Sequence, residues 1–172
     1  MSILTKNKIL EEIKKGRIKI YPFDPNQIGP GSIDFTLGNH FRIFKIPNQP
    51  IKITEETDSK DFTKEIVISQ KNPLILRPKE TVLGITREKL SLSPDLCGWI
   101  EGRSRFARIG LAVHVSAGFI QPGTSNHQVL EITNLSSYSL VLVPGVKICQ
   151  IVIERSEGKA IYRGRFKNQN RP

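Results

Sequence analysis

The sequence predicts a mainly β domain: a sandwich or barrel of short strands, with one short N-terminal helix and one short central helix. Three observations carry this expectation. Short β-branched runs recur at roughly ten-residue spacing, Pro, Gly, Asn and Ser separate them, and no helical pattern alternates with them. In order the runs are RIKIYPF (17–23), SIDFTLG (32–38), HFRIFKI (40–46), EIVIS (65–69), LILRP (74–78), TVLGIT (81–86), CGWIEG (97–102), LAVHVS (111–116), QVLEITN (128–134), SLVLVPG (139–145) and KICQIVIE (147–154). The first helix is expected over 6–15. Thr5 stands as its cap, Leu4 and Ile9 as a hydrophobic staple and Gly16 as its stop. Ile9, Leu10 and Ile13 would form its apolar face. The central helix is expected in SRFARIGL, from Ser104 to Gly110, with Phe106 and Ile109 on one face. TEETDSKDF (54–62) reads as a polar surface excursion.

No linker, repeat or low-complexity segment divides residues 1–172, so a single domain is expected. Hydrophobic content of 38% and charged content of 24% are ordinary for a soluble globular protein. No apolar run approaches the roughly 18 residues of a membrane span, and the first residues lack the apolar stretch of a signal peptide. The expected location is cytoplasmic, with no membrane partner. Cys97 and Cys149 lie in apolar segments and read as small buried hydrophobes. His40, His114 and His127 with two lone cysteines do not make a zinc set, and CxxC, HxE and HExxH patterns are absent.

The net charge of +10 raises the question of nucleic acid. The basic residues are spread along the chain, without an RNP-like aromatic motif or a helix-turn-helix pattern. A small polyanion such as a nucleoside triphosphate suits a basic chain equally, and no nucleic acid polymer is expected. The tail, 155–172, is basic, carries two aromatics and lacks a core period. It reads either as a frayed terminus or as a flap over an anionic ligand, and composition does not choose.

The densest chemistry lies in residues 102–134. Gly102, Arg103 and Ser104 stand at a helix start, where free N–H groups and a guanidinium suit phosphate, although a helix cap explains Ser104 as well. Glu131 sits in VLEIT. Alternation puts Val129, Glu131 and Thr133 on one face and Leu130 and Ile132 on the other. A strand carboxylate usually faces solvent, whereas one facing a closed pocket is a usable general base near neutrality. His114 is open to a structural or a catalytic reading.

GRSRFARIGLAVHVSAGFI…VLEITN closely resembles the central signature of the dCTP deaminases, which runs approximately GRSSLARLGL-VHVTA…I-PG…VLE-N. IGPGSIDFTLGNHF resembles the family's Pro-Ser-x-Asp-x-x-Leu-Gly motif, and YRGRFKNQ its closing Tyr…Lys-Tyr-x-x-Gln. The opening helix followed by KIYPFDPNQIGPGSID is similar to the family's N-terminus, so the likeness spans nearly the whole chain. It implies a distorted, jelly-roll-like β-barrel of the dUTPase type, and homotrimers whose sites are shared between subunits. It also implies metal-independent hydrolysis of dCTP to dUTP and ammonia. Glu131 matches the base that deprotonates the attacking water, Ser104 the hydroxyl that orients it, and Arg108 a cation beside the glutamate. Backbone groups around His114, Val115 and Ala117 would select the base. Arg103, Ser104 and tail residues would hold the triphosphate, with Mg²⁺ bridging phosphates and no side-chain metal site or zinc. Tyr162, Arg165, Phe166 and Gln169 match the tail motif, favouring the flap. Ligands implied are dCTP and dUTP, with dTTP as a candidate regulator.

Departures from the pattern set the alternatives. Arg105 replaces a second serine and would add a phosphate contact or point away. Arg165 and Phe166 stand for lysine and tyrosine. Gln121 replaces the aspartate that in dUTPases activates water against the phosphate chain, and an amide cannot serve as that base. In deaminases the aspartate mainly contacts the sugar 3′-hydroxyl, a contact that Gln121 would be expected to replace. PGTSN further lacks the aromatic and glycine of PGWSG. The leading expectation is therefore deamination with diphosphate hydrolysis lost. A bifunctional deaminase–diphosphatase or dUTPase, and a non-catalytic nucleotide-binding regulator, are the alternatives.

Overall fold

The computed structural model describes residues 2–172. In chain order it runs α1 (Lys6–Lys14), β1 (Ile18–Tyr21), β2 (Ile33–Thr36), β3 (His40–Phe44), β4 (Thr63–Val67), β5 (Leu74–Leu76), β6 (Thr81–Leu92), β7 (Leu96–Gly102), α2 (Ser104–Ala107), β8 (Leu111–Val113), β9 (Phe119–Ile120), β10 (Ser125–Asn134), β11 (Leu140–Leu142) and β12 (Lys147–Arg155). Every β-branched run of the sequence overlaps a strand. The pattern did not reveal β9, the extension of β6 to Leu92, or the start of β10 at Ser125. These pieces are polar or very short and are held by ladder pairing: Ser125 opposes Ser91, and their hydroxyls share a 2.7 Å hydrogen bond.

The long strand β6 organises the larger sheet. One edge pairs first with β3 (Arg42 opposite Leu83) and then with β1 (Ile20 opposite Leu90). Its other edge carries β10 from Thr133 opposite Thr81 to Ser125 opposite Ser91. β8 extends the sheet beyond β10, with Val113 opposite Ile132. A second sheet runs β2-β12-β7-β9, and β5 forms a two-stranded sheet with β11. The core includes Phe35, Phe41, Leu90, Leu130, Ile132 and Ile151, all fully buried. Each such side chain contributes roughly 1.5–3 kcal/mol of transfer free energy. Cys97 and Cys149 are free and buried, and burial pushes both thiols up from their ordinary range.

The first helix departs from expectation in two details. Thr5 occupies the cap position, but its side chain makes no capping bond. The carbonyl of Pro30 instead accepts the Lys6 N–H at 2.8 Å. Leu10 is partly exposed, while Glu12 on the same helix is 2% exposed. Glu12 is buried because two guanidiniums meet it, Arg17 Nε at 2.8 Å and Arg155 Nη2 at 2.7 Å. That pairing ties α1 to the start of β1 and the end of β12. Leu4 and Ile9 are both buried, as a staple requires, and Gly16 ends the helix at φ 67°.

The central helix is shorter than expected, and Ile109 is exposed beyond its end. Gly110 has φ 83°, and a Cβ there would stand 2.7 Å from Ser136 Cβ, so only glycine fits. Facing it, fully buried Asn134 donates to the carbonyls of Leu76 and Tyr138 and accepts from the Ser136 N–H. This clasp closes the turn after β10.

Candidate active site

On β10 the alternation works as the sequence predicts. Leu130 and Ile132 are fully buried, and Glu131 points the other way, a third exposed. The strand alongside ends at Val113, and His114 follows with φ 59°. A non-glycine residue in that region is uncommon and turns the chain out of the ladder. The turn brings Ser116 back over the strand, where its Oγ donates to Glu131 Oε2 at 2.7 Å. His114 stays close: its N–H donates to the Glu131 carbonyl at 2.8 Å. Its Nδ1 accepts a long bond from the Glu131 N–H at 3.5 Å and lies 4.0 Å from Oε2. A neutral ring accepting at Nδ1 carries its proton on Nε2, and that buried atom has no partner among the described residues.

A cleft of about 500 Å³ adjoins this group, lined by Trp99, Glu101, Ser104, Ala107, His114 and Ser116 among others. Ser104 begins α2, and its hydroxyl makes no hydrogen bond among the described residues, so it is not engaged as a cap. Trp99 and Phe119 form a tilted ring pair, centroids 5.0 Å apart, on the cleft's side. Trp99 lines the cleft without having stood out in the sequence, whereas Ser116 lay in the 114–117 stretch expected to contact the base through its backbone. Only the fold shows Ser116 reaching Glu131.

Not every expected residue converges here. Arg108 closes α2, is exposed, and pairs with no carboxylate among the described residues, Glu131 included. Arg105 is exposed, as are Val115 and Ala117. Arg103 faces inward: Nη2 lies 3.3 Å from Asp34 Oδ2, and Nη1 donates to the Lys147 carbonyl at 3.1 Å. The aspartate of SIDFTLG thus meets the arginine of GRS, two motifs far apart in sequence.

The remaining residues gather at the other end of β10. Gln121 is exposed in the turn before it. The tail packs alongside, with the Tyr162 N–H donating to the Pro122 carbonyl at 3.0 Å. Gln169 pairs twice with His127: its carbonyl accepts the His127 N–H at 3.2 Å, and its Nε2 donates to the His127 carbonyl at 3.1 Å. The Phe166 carbonyl accepts from Asn126 Nδ2 at 2.9 Å. Arg165 Nη2 reaches Asp58 at 2.6 Å, and Arg171 reaches Glu65 at 3.1 Å. Asp58 is held below the usual carboxylate range by the Lys60 N–H and by Arg165. Glu65 is lowered by its bond from His40 and by Arg171. His127 and Glu131 are four residues apart, roughly 13 Å along a strand.

This fold is that of known nucleotide enzymes of the β-rich dUTPase type. The crystal structure of 2′-deoxycytidine 5′-triphosphate deaminase from Agrobacterium tumefaciens superposes with a TM-score of 0.68 at 22% identity, covering 90% of this chain and 48% of that one. The dUTPase of Staphylococcus bacteriophage 80alpha, as a point mutant with dUpNHpp, matches with a TM-score of 0.51 at 13% identity, over 86% of this chain and 96% of that one. In sequence, the family model described as dCTP deaminase-like matches residues 3–156. A "dCTP deaminase, dUMP-forming" of Nocardioides sp. is 37% identical over 177 residues, 99% of this chain and 92% of the relative. Another of that name, from Methanosphaera stadtmanae, is 38% identical over 156 residues, 90% and 79% respectively. The chain belongs to the dCTP deaminase-like family.

Proposed function

We propose that the protein is a hydrolase that deaminates dCTP, with water as nucleophile and ammonia as leaving group. The observation that carries this reading is Glu131, set outward on a strand whose inner face is fully buried and held through one oxygen by Ser116. Oε1 is left to take a proton from water attacking C4 of the cytosine and to return it to the departing amino group. Ser104, with an uncommitted hydroxyl on the cleft, orients that water. His114 Nε2–H, buried and unpartnered, is a donor for the pyrimidine edge. A pyrimidine without the matching acceptor would leave that group unpaired, at about 1–3 kcal/mol.

Magnesium enters with the triphosphate and neutralises its charge. In this reading the ion would be held through the phosphate oxygens of the nucleotide, with Arg105 and the tail cations near the same charge. The proposed attack uses no zinc. A homotrimer with shared sites belongs to the same reading. What supports it is that Arg108 finds no carboxylate among the described residues of one chain and that the tail docks at the end of β10 remote from Glu131. In the trimer of this reading Arg108 meets a glutamate and Arg105 meets phosphates, and Arg165 would exchange Asp58 for phosphate. A cytoplasmic enzyme is expected. No helix among the described residues is long and apolar enough to cross a membrane. Several cations, including Arg17, Arg42, Arg103 and Arg155, are engaged by carboxylates, which argues against a nucleic acid polymer as partner.

On the product, the expectation of dUTP differs from the relatives' names, which say dUMP. Gln121 supports dUTP, since its amide cannot activate a second water against the phosphates. The relatives' names support the second reading, deamination followed by diphosphate release. One assay separates them: purified protein with dCTP and Mg²⁺, following ammonia, dUTP, dUMP and pyrophosphate. Ammonia with accumulating dUTP is expected. Ammonia with dUMP and pyrophosphate establishes the second reading, and turnover of neither dCTP nor dUTP leaves a non-catalytic nucleotide binder.

A further inference from the structure

The inward face of β10 is polar where it meets the tail. Asn126 and Gln128 are 7% and 8% exposed, and Gln128 Nε2 donates to Asn126 Oδ1 at 2.7 Å. That bond orients the amide of Asn126, so its Nδ2 is presented to the Phe166 carbonyl at 2.9 Å. Beneath them the Gln128 N–H donates to Thr86 Oγ1 at 3.0 Å, which donates in turn to the Glu88 carbonyl at 2.8 Å. Buried amides are costly unless paired, and here one partner of Asn126 belongs to the tail itself. The ion pairs of Arg165 and Arg171 lie on the surface, and such pairs contribute little.

We propose that Asn126 is a positioning residue that clamps the tail at Phe166, with Gln128 fixing its amide and Gln169 closing the clamp on the His127 backbone. The clamp acts in cis, on the tail of the same chain. It sets the positions of Tyr162, Arg165 and Phe166 relative to the turn carrying Gln121. The docked tail is a property of the chain alone; its effect on turnover rests on the deaminase reading above.

The test uses Asn126→Asp in the full chain, which keeps shape and the bond from Gln128 but sets an acceptor against the Phe166 carbonyl. Trypsin cleavage at Arg163, Arg165 and Lys167 is followed well below the melting temperature, together with kcat and KM for dCTP. The expected result is about tenfold faster tail cleavage, the size of one lost hydrogen bond, and a raised KM with kcat changed far less. Gln169→Ala, which touches no core residue, accelerates the same cleavages and keeps the test open if Asn126→Asp fails to fold. Tail cleavage at the wild-type rate in both variants overturns the clamp. So does a faster rate that only tracks a lowered melting temperature. If the wild type releases no ammonia from dCTP, the activity reading fails while the cleavage comparison still decides the clamp.

Discussion

In its second half β10 turns Leu130 and Ile132 inward, whereas in its first half the inward positions hold Asn126 and Gln128. The difference determines what each half can do. Apolar burial has no directional demand and is satisfied by packing, so the second half is a rigid mount for the outward Glu131. Buried amides must each find a partner, so the first half is completed only when another segment supplies one. That segment is the tail. One strand therefore carries the proposed base on an apolar mount and, at its other end, amides that the tail completes.

The contrast between the halves is most exposed to test at Glu131. Glu131→Gln keeps the shape of the side chain and removes the proposed base. Ammonia release from dCTP should fall by about 10²–10⁴-fold, the usual range for a general acid–base group. Because the side chain is not part of the core, the melting temperature should stay near that of the wild type. Retained deamination would refute the assigned role.

Leu130→Ala attacks the mount instead. Removing a fully buried leucine side chain should cost roughly 2–5 kcal/mol, read as a lowered midpoint in denaturant unfolding. Activity per folded molecule should fall less than in Glu131→Gln. An unchanged midpoint would show that the second half is not the rigid half.

The smallest effect is expected at the tail's surface ion pairs. Asp58 and Glu65 are lowered in the folded chain, so their contribution to tail docking is present above the usual carboxylate range and is lost as pH falls through their lowered values. Tail signals in NMR spectra should therefore stay constant from pH 7 down to about 4 and sharpen only below it. Asp58→Asn at neutral pH should speed tryptic cleavage of the tail by about twofold at most, since surface pairs contribute little. A larger change would move the clamp from Asn126 to Asp58.

Much of the fold was legible because strands carry their burial in a two-residue period. The runs around Phe41, Glu131 and Ile151 show it directly, and each overlaps a strand. Glu131 stood out for the same reason, as a carboxylate in a run otherwise suited to the core. Leu10 misled, because helical periodicity weighs apolar residues and cannot see two distant arginines making Glu12 the better one to bury.

Local pattern and motif were thus enough for the succession of strands along the chain, the outward setting of Glu131 and the family likeness. The folded arrangement was needed to show that Ser116 holds the carboxylate, that Asp34 holds Arg103, and that Asn126 meets the tail. Each of these is a directional contact between segments with no shared period. Hydrogen bonds and ion pairs form within about 3 Å, and only the fold brings groups 15, 69 or 40 positions apart to that distance.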